Sequence, residues 1–166
     1  AQKTNPREEA RRIAQCFDSV LVCFSKGLGA PVGSALCGSK ELIYRARRLR
    51  KMAGGGMRQA GVLASAASYA LDHHIDRLAD DHALMRELYA QLKDIPGLAI
   101  EAPQTNILFI DLQDEARERA QALVDHLKSR GVMVIGLYRL RMVTHLDVDA
   151  EGIRQAVAAI REFFSA

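Results

Sequence analysis

Three stretches of this chain place a basic side chain where chemistry could use it. In VCFSKGLGAPVGSALCGS, residues 22–39, a single lysine, Lys26, ends an apolar run and is followed at once by glycines. An amine set against a low-dielectric wall gives up its proton more readily, and a free amine forms an imine with a carbonyl. The glycines clear away side chains, so a flat ligand can approach the backbone. A solvated lysine capping a strand is the other reading of the same residues.

The second stretch is KMAGGGMRQ, residues 51–59, where Lys51 and Arg58 flank three glycines ahead of a helical pattern. Free backbone N–H groups at a helix start, with a cation on either side, suit a phosphate. The preceding run of Arg45, Arg47, Arg48 and Arg50 reads equally well as a solvated helix face. It lacks the aromatic interleaving of a nucleic-acid surface. The third stretch is LRMVTHLDV, residues 140–148. A guanidinium within an apolar strand, here Arg141, needs a two-pronged carboxylate partner. That partner is a substrate carboxylate or, structurally, Asp147 or Asp111. His145 reads as a hydrogen-bonded core histidine. His73 and His74 are adjacent on a helix and cannot share a face as metal ligands.

These residues need elements to hold them. Residues 6–16 open with proline and two glutamates and predict an exposed helix. SVLVCFS (19–25) and PVGSALCG (31–38) read as strands buried on both faces, and so as part of a larger parallel or mixed sheet. A basic helix follows over 39–53, then a glycine break over 54–61. A long helical pattern runs over 62–93, with an apolar stripe at Ile75, Leu78, Met85, Leu88 and Leu92. Beyond it the chain alternates: strands at 98–101 and 106–112, an amphipathic helix at 114–131, strands at 132–136 and 140–146, and a last helix at 149–164. The class is α/β, ending in a small layer domain whose helices cover one face of a three- or four-stranded sheet.

Composition is that of an ordinary packed globule: 49% hydrophobic, 26% charged, 4 prolines among 166 residues, and net charge +3. So mild a charge singles out no nucleic-acid partner. Cys16, Cys23 and Cys37 are odd in number, in apolar contexts, and at no spacing that suits zinc. They predict reduced, buried thiols in a cytoplasmic protein. No apolar run approaches the roughly 20 residues that span a bilayer, and the polar first ten residues do not read as a signal peptide.

An imine-forming lysine, a phosphate loop and a carboxylate-binding arginine are together what a pyridoxal phosphate enzyme acting on an amino acid requires. FSKGLGAPVGS, RKMAGGGMRQAG and LRMVTHLDV resemble the low-specificity threonine aldolase family, in the fold-type I branch of pyridoxal phosphate enzymes. The likeness runs from Phe17 to Ser165. It implies that Lys26 holds pyridoxal 5'-phosphate covalently and that Arg141 binds the substrate α-carboxylate. It places Lys51 and Arg58 at the cofactor phosphate, across a subunit interface. It implies cleavage of a β-hydroxy-α-amino acid such as threonine to glycine and an aldehyde. Residues 1–78 would be the C-terminal remainder of the large cofactor-binding domain, and 79–166 the small C-terminal domain.

The resemblance also implies a chain of about twice this length. The N-terminal half would supply most of the large sheet, a histidine over the cofactor ring, and an Asp-Gly-Ala-Arg signature that AQKTNPREEARRIAQC does not contain. The expectation is an incomplete half that self-associates or takes a partner chain to cover its apolar strands. Another fold-type I activity, such as an aminotransferase, and a non-catalytic interaction module are the alternatives.

Overall fold

Asn5 opens the first element of the computed structural model, which describes residues 5–165. Its side-chain oxygen accepts the Arg7 N–H at 3.0 Å. Glu8 and Glu9 then fill the first turn of helix α1, Pro6–Ala14, and Arg11 and Arg12 its last. Each charge faces the end of the helix dipole that favours it. The chain divides into two units, one up to Ile75 and one from Asp76.

In the first unit, strands β1 (Ser19–Cys23) and β2 (Ser34–Gly38) pair antiparallel, with Leu21 opposite Leu36 and Val20 opposite Cys37. This corrects the expected parallel or mixed sheet buried on both faces. Among the described residues no third strand joins the pair. Four of the five residues in each strand are exposed, Leu21 to 62% and Leu36 to 42%. An apolar run records the burial a strand is suited to, and among the described residues of this unit nothing supplies it. For the same reason the cysteines are exposed free thiols rather than buried ones.

Helix α2 (Lys40–Met52) starts where the Ser39 hydroxyl accepts the Leu42 N–H at 3.2 Å. It ends in a glycine cap. Gly54 takes φ +84°, its N–H bonds the Lys51 carbonyl at 3.1 Å, and the Gly55 N–H bonds the Arg50 carbonyl at 2.7 Å. That double closure is the Schellman pattern. Helix α3 (Gly61–His73) follows. The single helix expected over 62–93 is broken at His74–Arg77, and α4 (Leu78–Leu92) begins on the far side.

The second unit sets three helices against one face of a three-stranded antiparallel sheet. Its strand order is β3 (Leu98–Ile100), β4 (Ile107–Leu112), β5 (Arg139–Val143). Alternation along the strands sends Leu108, Ile110, Leu112, Leu140 and Met142 inward. They meet Met85, Leu88 and Leu92 of α4 and Leu123 and Leu127 of α6 (Ala120–Ser129). Ile153, Val157 and Ile160 of α7 (Ala150–Ser165) complete the core. The helix expected over 114–131 is divided at Arg119 into α5 (Asp114–Glu118) and α6. The strand expected over 132–136 reduces to one bridge, Ile135 with Arg141. Gly136 at φ +101° turns the chain so tightly that a Cβ there would overlap the Arg139 carbonyl oxygen. Across the sheet edge, the buried Thr144 hydroxyl donates to the Asp81 carbonyl at 2.7 Å, and Arg77 grips the buried Asp81 carboxylate with both terminal nitrogens. No helix of the described residues is long and apolar enough to cross a membrane.

Candidate active site

Lys26 lies in the loop that joins β1 to β2. The Phe24 N–H bonds the Gly33 carbonyl at 3.0 Å and the Ala30 N–H bonds the Phe24 carbonyl at 3.0 Å. Together they close the neck of the loop. At its tip the Gly29 N–H bonds the Lys26 carbonyl at 2.8 Å, with Gly29 at φ +70°. Ala30 is buried and Lys26 is exposed. The expected low-dielectric wall around the amine is therefore not built by these residues.

One longer tie reaches this loop: His74 Nδ1 lies 2.6 Å from the Leu28 carbonyl oxygen. The two residues are 46 positions apart, and the sequence of the histidine pair indicates no such contact. Tyr69, one turn back on α3, sits against both rings. It is tilted on His73 at 4.3 Å and edge-on to His74 at 5.6 Å.

Lys51 and Arg58 flank the glycine loop as the spacing requires, both exposed. Two of the three glycines have a local task, however. The N–H groups of Gly54 and Gly55 are spent on the C-terminus of α2, so they are not the open donors expected for a phosphate. A Cβ on Gly55 would press on the Arg50 carbonyl at 2.8 Å, whereas one on Gly56 would meet only the Lys51 amine at 3.0 Å. The start of α3 carries no side-chain cap, and Gln59, beside Arg58, holds φ +51°. A non-glycine residue adopts that conformation only at a cost.

Arg141 lies in the second unit, on the face of the sheet opposite the helices and across from Phe109, which is 40% exposed. Neither structural partner foreseen for it is taken up. Asp111 faces Arg139 at 3.6 Å and Asp147 faces His145 at 3.6 Å. Arg139 also covers the Phe109 ring at 4.7 Å. His145, expected in the core, is half exposed; its Nδ1 accepts the Asp147 N–H at 3.3 Å. Among the described residues, Lys26, Lys51, Arg58 and Arg141 make no ion pair with a carboxylate. On α1, the Arg12 guanidinium holds the Glu9 carboxyl below its usual value, and Glu9 raises that of Arg12.

In the first unit, an amine on a glycine-flanked loop and two cations without a carboxylate partner among the described residues have the chemistry that an anionic aldehyde cofactor calls for; in the second, the guanidinium of Arg141 has that of a carboxylate binder. The chain superposes on a putative L-allo-threonine aldolase from Listeria monocytogenes with TM-score 0.74 at 18% identity, covering 92% of this chain and 46% of that one. It superposes on a structure of SPT with PLP internal aldimine with TM-score 0.67 at 22% identity, covering 93% and 42%. The class is the fold-type I pyridoxal phosphate fold, of which this chain forms a part.

The chain belongs to the beta-eliminating lyase family, whose model matches residues 3–115. It is 42% identical over 157 residues to the low specificity L-threonine aldolase of Escherichia coli (strain K12), covering 95% of this chain and 46% of that protein. The chain spans about half the length of the curated relatives it matches.

Proposed function

We propose that this chain is the lysine-bearing half of a pyridoxal phosphate-dependent aldolase. The enzyme would cleave threonine or allo-threonine to glycine and acetaldehyde. The observation that carries the reading is the 42% identity to a threonine aldolase along nearly all of the chain. It is joined to a lysine presented on a loop with no carboxylate partner among the described residues. When bound, the cofactor supplies a ring that accepts the electron pair of the broken Cα–Cβ bond.

The chain's own groups would do the rest. The Lys26 amine holds the cofactor, and Lys51 and Arg58 balance its phosphate charge. Arg141 clamps the substrate carboxylate in two-pronged fashion and so fixes which bond stands ready to break. Residues 1–78 act as the end of the large cofactor-binding domain and 79–166 as the small one. The site is completed by the half of such enzymes that these 166 residues do not span, in a cytoplasmic oligomer or with a partner chain that also covers the open hairpin.

The test mixes the chain with pyridoxal phosphate and records visible absorption beside a Lys26→Ala control. Acetaldehyde release from threonine is then assayed. A lysine-dependent absorption band supports the reading; identical spectra from the two proteins would remove Lys26 from it. A second reading, an aminotransferase-type activity on the same fold, predicts a keto acid from the amino acid and no acetaldehyde.

A further inference from the structure

We propose that His74 is a positioning residue for Lys26, its imidazole fixing the loop on which the amine stands. The proposal rests on the role given to Lys26 above. The loop tip, residues 25–29, is tied within itself by the bond from Gly29 to Lys26. Among the described residues, its one hydrogen bond to anything outside the β1–β2 connection is the contact of His74 Nδ1 with the Leu28 carbonyl. A carbonyl oxygen only accepts, so Nδ1 carries the proton and donates. That assigns the tautomer and leaves Nε2 out of the contact.

The ring is held in turn. His74 ends α3, its N–H bonded to the Ala70 carbonyl at 2.9 Å, and Ala70 is 1% exposed. Tyr69 braces the imidazole edge-on. The end of α3 therefore reaches the carbonyl two residues past the lysine. Catalytic groups on loops need this kind of support, because a loop closed only by its own turn samples many side-chain positions. The long helix expected from sequence breaks at His74, where the side chain turns to the Lys26 loop.

The test uses the full chain and two variants, with pyridoxal phosphate as the probe at a limiting amount. Adducts are fixed with borohydride and mapped by peptide mass spectrometry. The readout is the share on Lys26 relative to the exposed Lys40 and Lys128. His74→Ala removes the donor. His74→Asn places an amide N–H at the same bond distance from Cα as Nδ1 and restores it. The unsubstituted chain is expected to favour Lys26, and His74→Ala to lower that preference roughly threefold to tenfold, the range of one lost hydrogen bond. Amide exchange across 25–29 should quicken by a similar factor, and His74→Asn should recover both.

Equal preference and equal exchange in His74→Ala would overturn the positioning role. So would an asparagine variant that keeps the circular dichroism of the unsubstituted chain yet behaves like alanine. An unsubstituted chain with no preference for Lys26 would overturn the reading of the lysine and the positioning role with it.

Discussion

At the scale of residues, the three glycines after α2 are not alike, and substitution should separate them. Gly54→Ala forces an L-residue into φ +84° and is expected to cost about 1–2 kcal/mol, read as a lower urea midpoint. Gly56→Ala meets only the mobile end of Lys51 and should leave the midpoint unchanged while displacing that amine. Arg141→Leu removes a guanidinium with no carboxylate partner among the described residues. Stability should therefore stay within about 0.5 kcal/mol, while binding of an amino-acid carboxylate, followed by calorimetry, is lost. Lys26, Lys51, Arg58 and Arg141 stand out in the sequence as candidates because each breaks a local pattern: a cation ending an apolar run, cations flanking glycines, a guanidinium in a strand. His74 breaks none. Its partner lies 46 residues away, and no local spacing encodes a contact made by folding two distant segments together.

At the scale of elements, the second unit was readable because its strands alternate and its helices keep an apolar stripe; periodicity survives wherever both faces have different neighbours. The hairpin is not readable in this way because its apolar run carries no period, and its faces are open in the structure. The strand expected at 132–136 failed on one residue. Gly136→Ala should lower the melting temperature of the second unit, since the added Cβ has no place beside Arg139. Thr144→Val removes the buried tie between the residue just after β5 and α4 at an expected cost of about 0.5–1.5 kcal/mol, measured by denaturant unfolding. In α1 the sign of a pH effect is fixed by charge. Arg12 depresses the Glu9 carboxyl below its ordinary 4.5, so the pair supports the helix above that value. The support is lost as pH falls through the lowered one. Amide exchange in α1 should rise on acidification, and Glu9→Gln should abolish that dependence.

At the scale of the whole molecule, the two units differ in how well they are filled. Among the described residues, the buried ones of the first are Ala30, Ala67 and Ala70, while the second holds a continuous core. Self-association is therefore expected to run through the first unit, and Leu21→Lys with Leu36→Lys should reduce it in sedimentation experiments. The exposed cysteines give that surface its own markers. The register places Cys23 beside Leu21 on one face of the hairpin and Cys37 beside Val20 on the other. The Cys37 face borders α1 across an open cleft that Ala10, Ala14 and Val20 help to line. A thiol-specific dye thus distinguishes the two sides without any engineering. A partner settling on the Leu21 face would quench labelling of Cys23 and spare Cys37, so the kinetics of a simple alkylation map which side of the ribbon is covered.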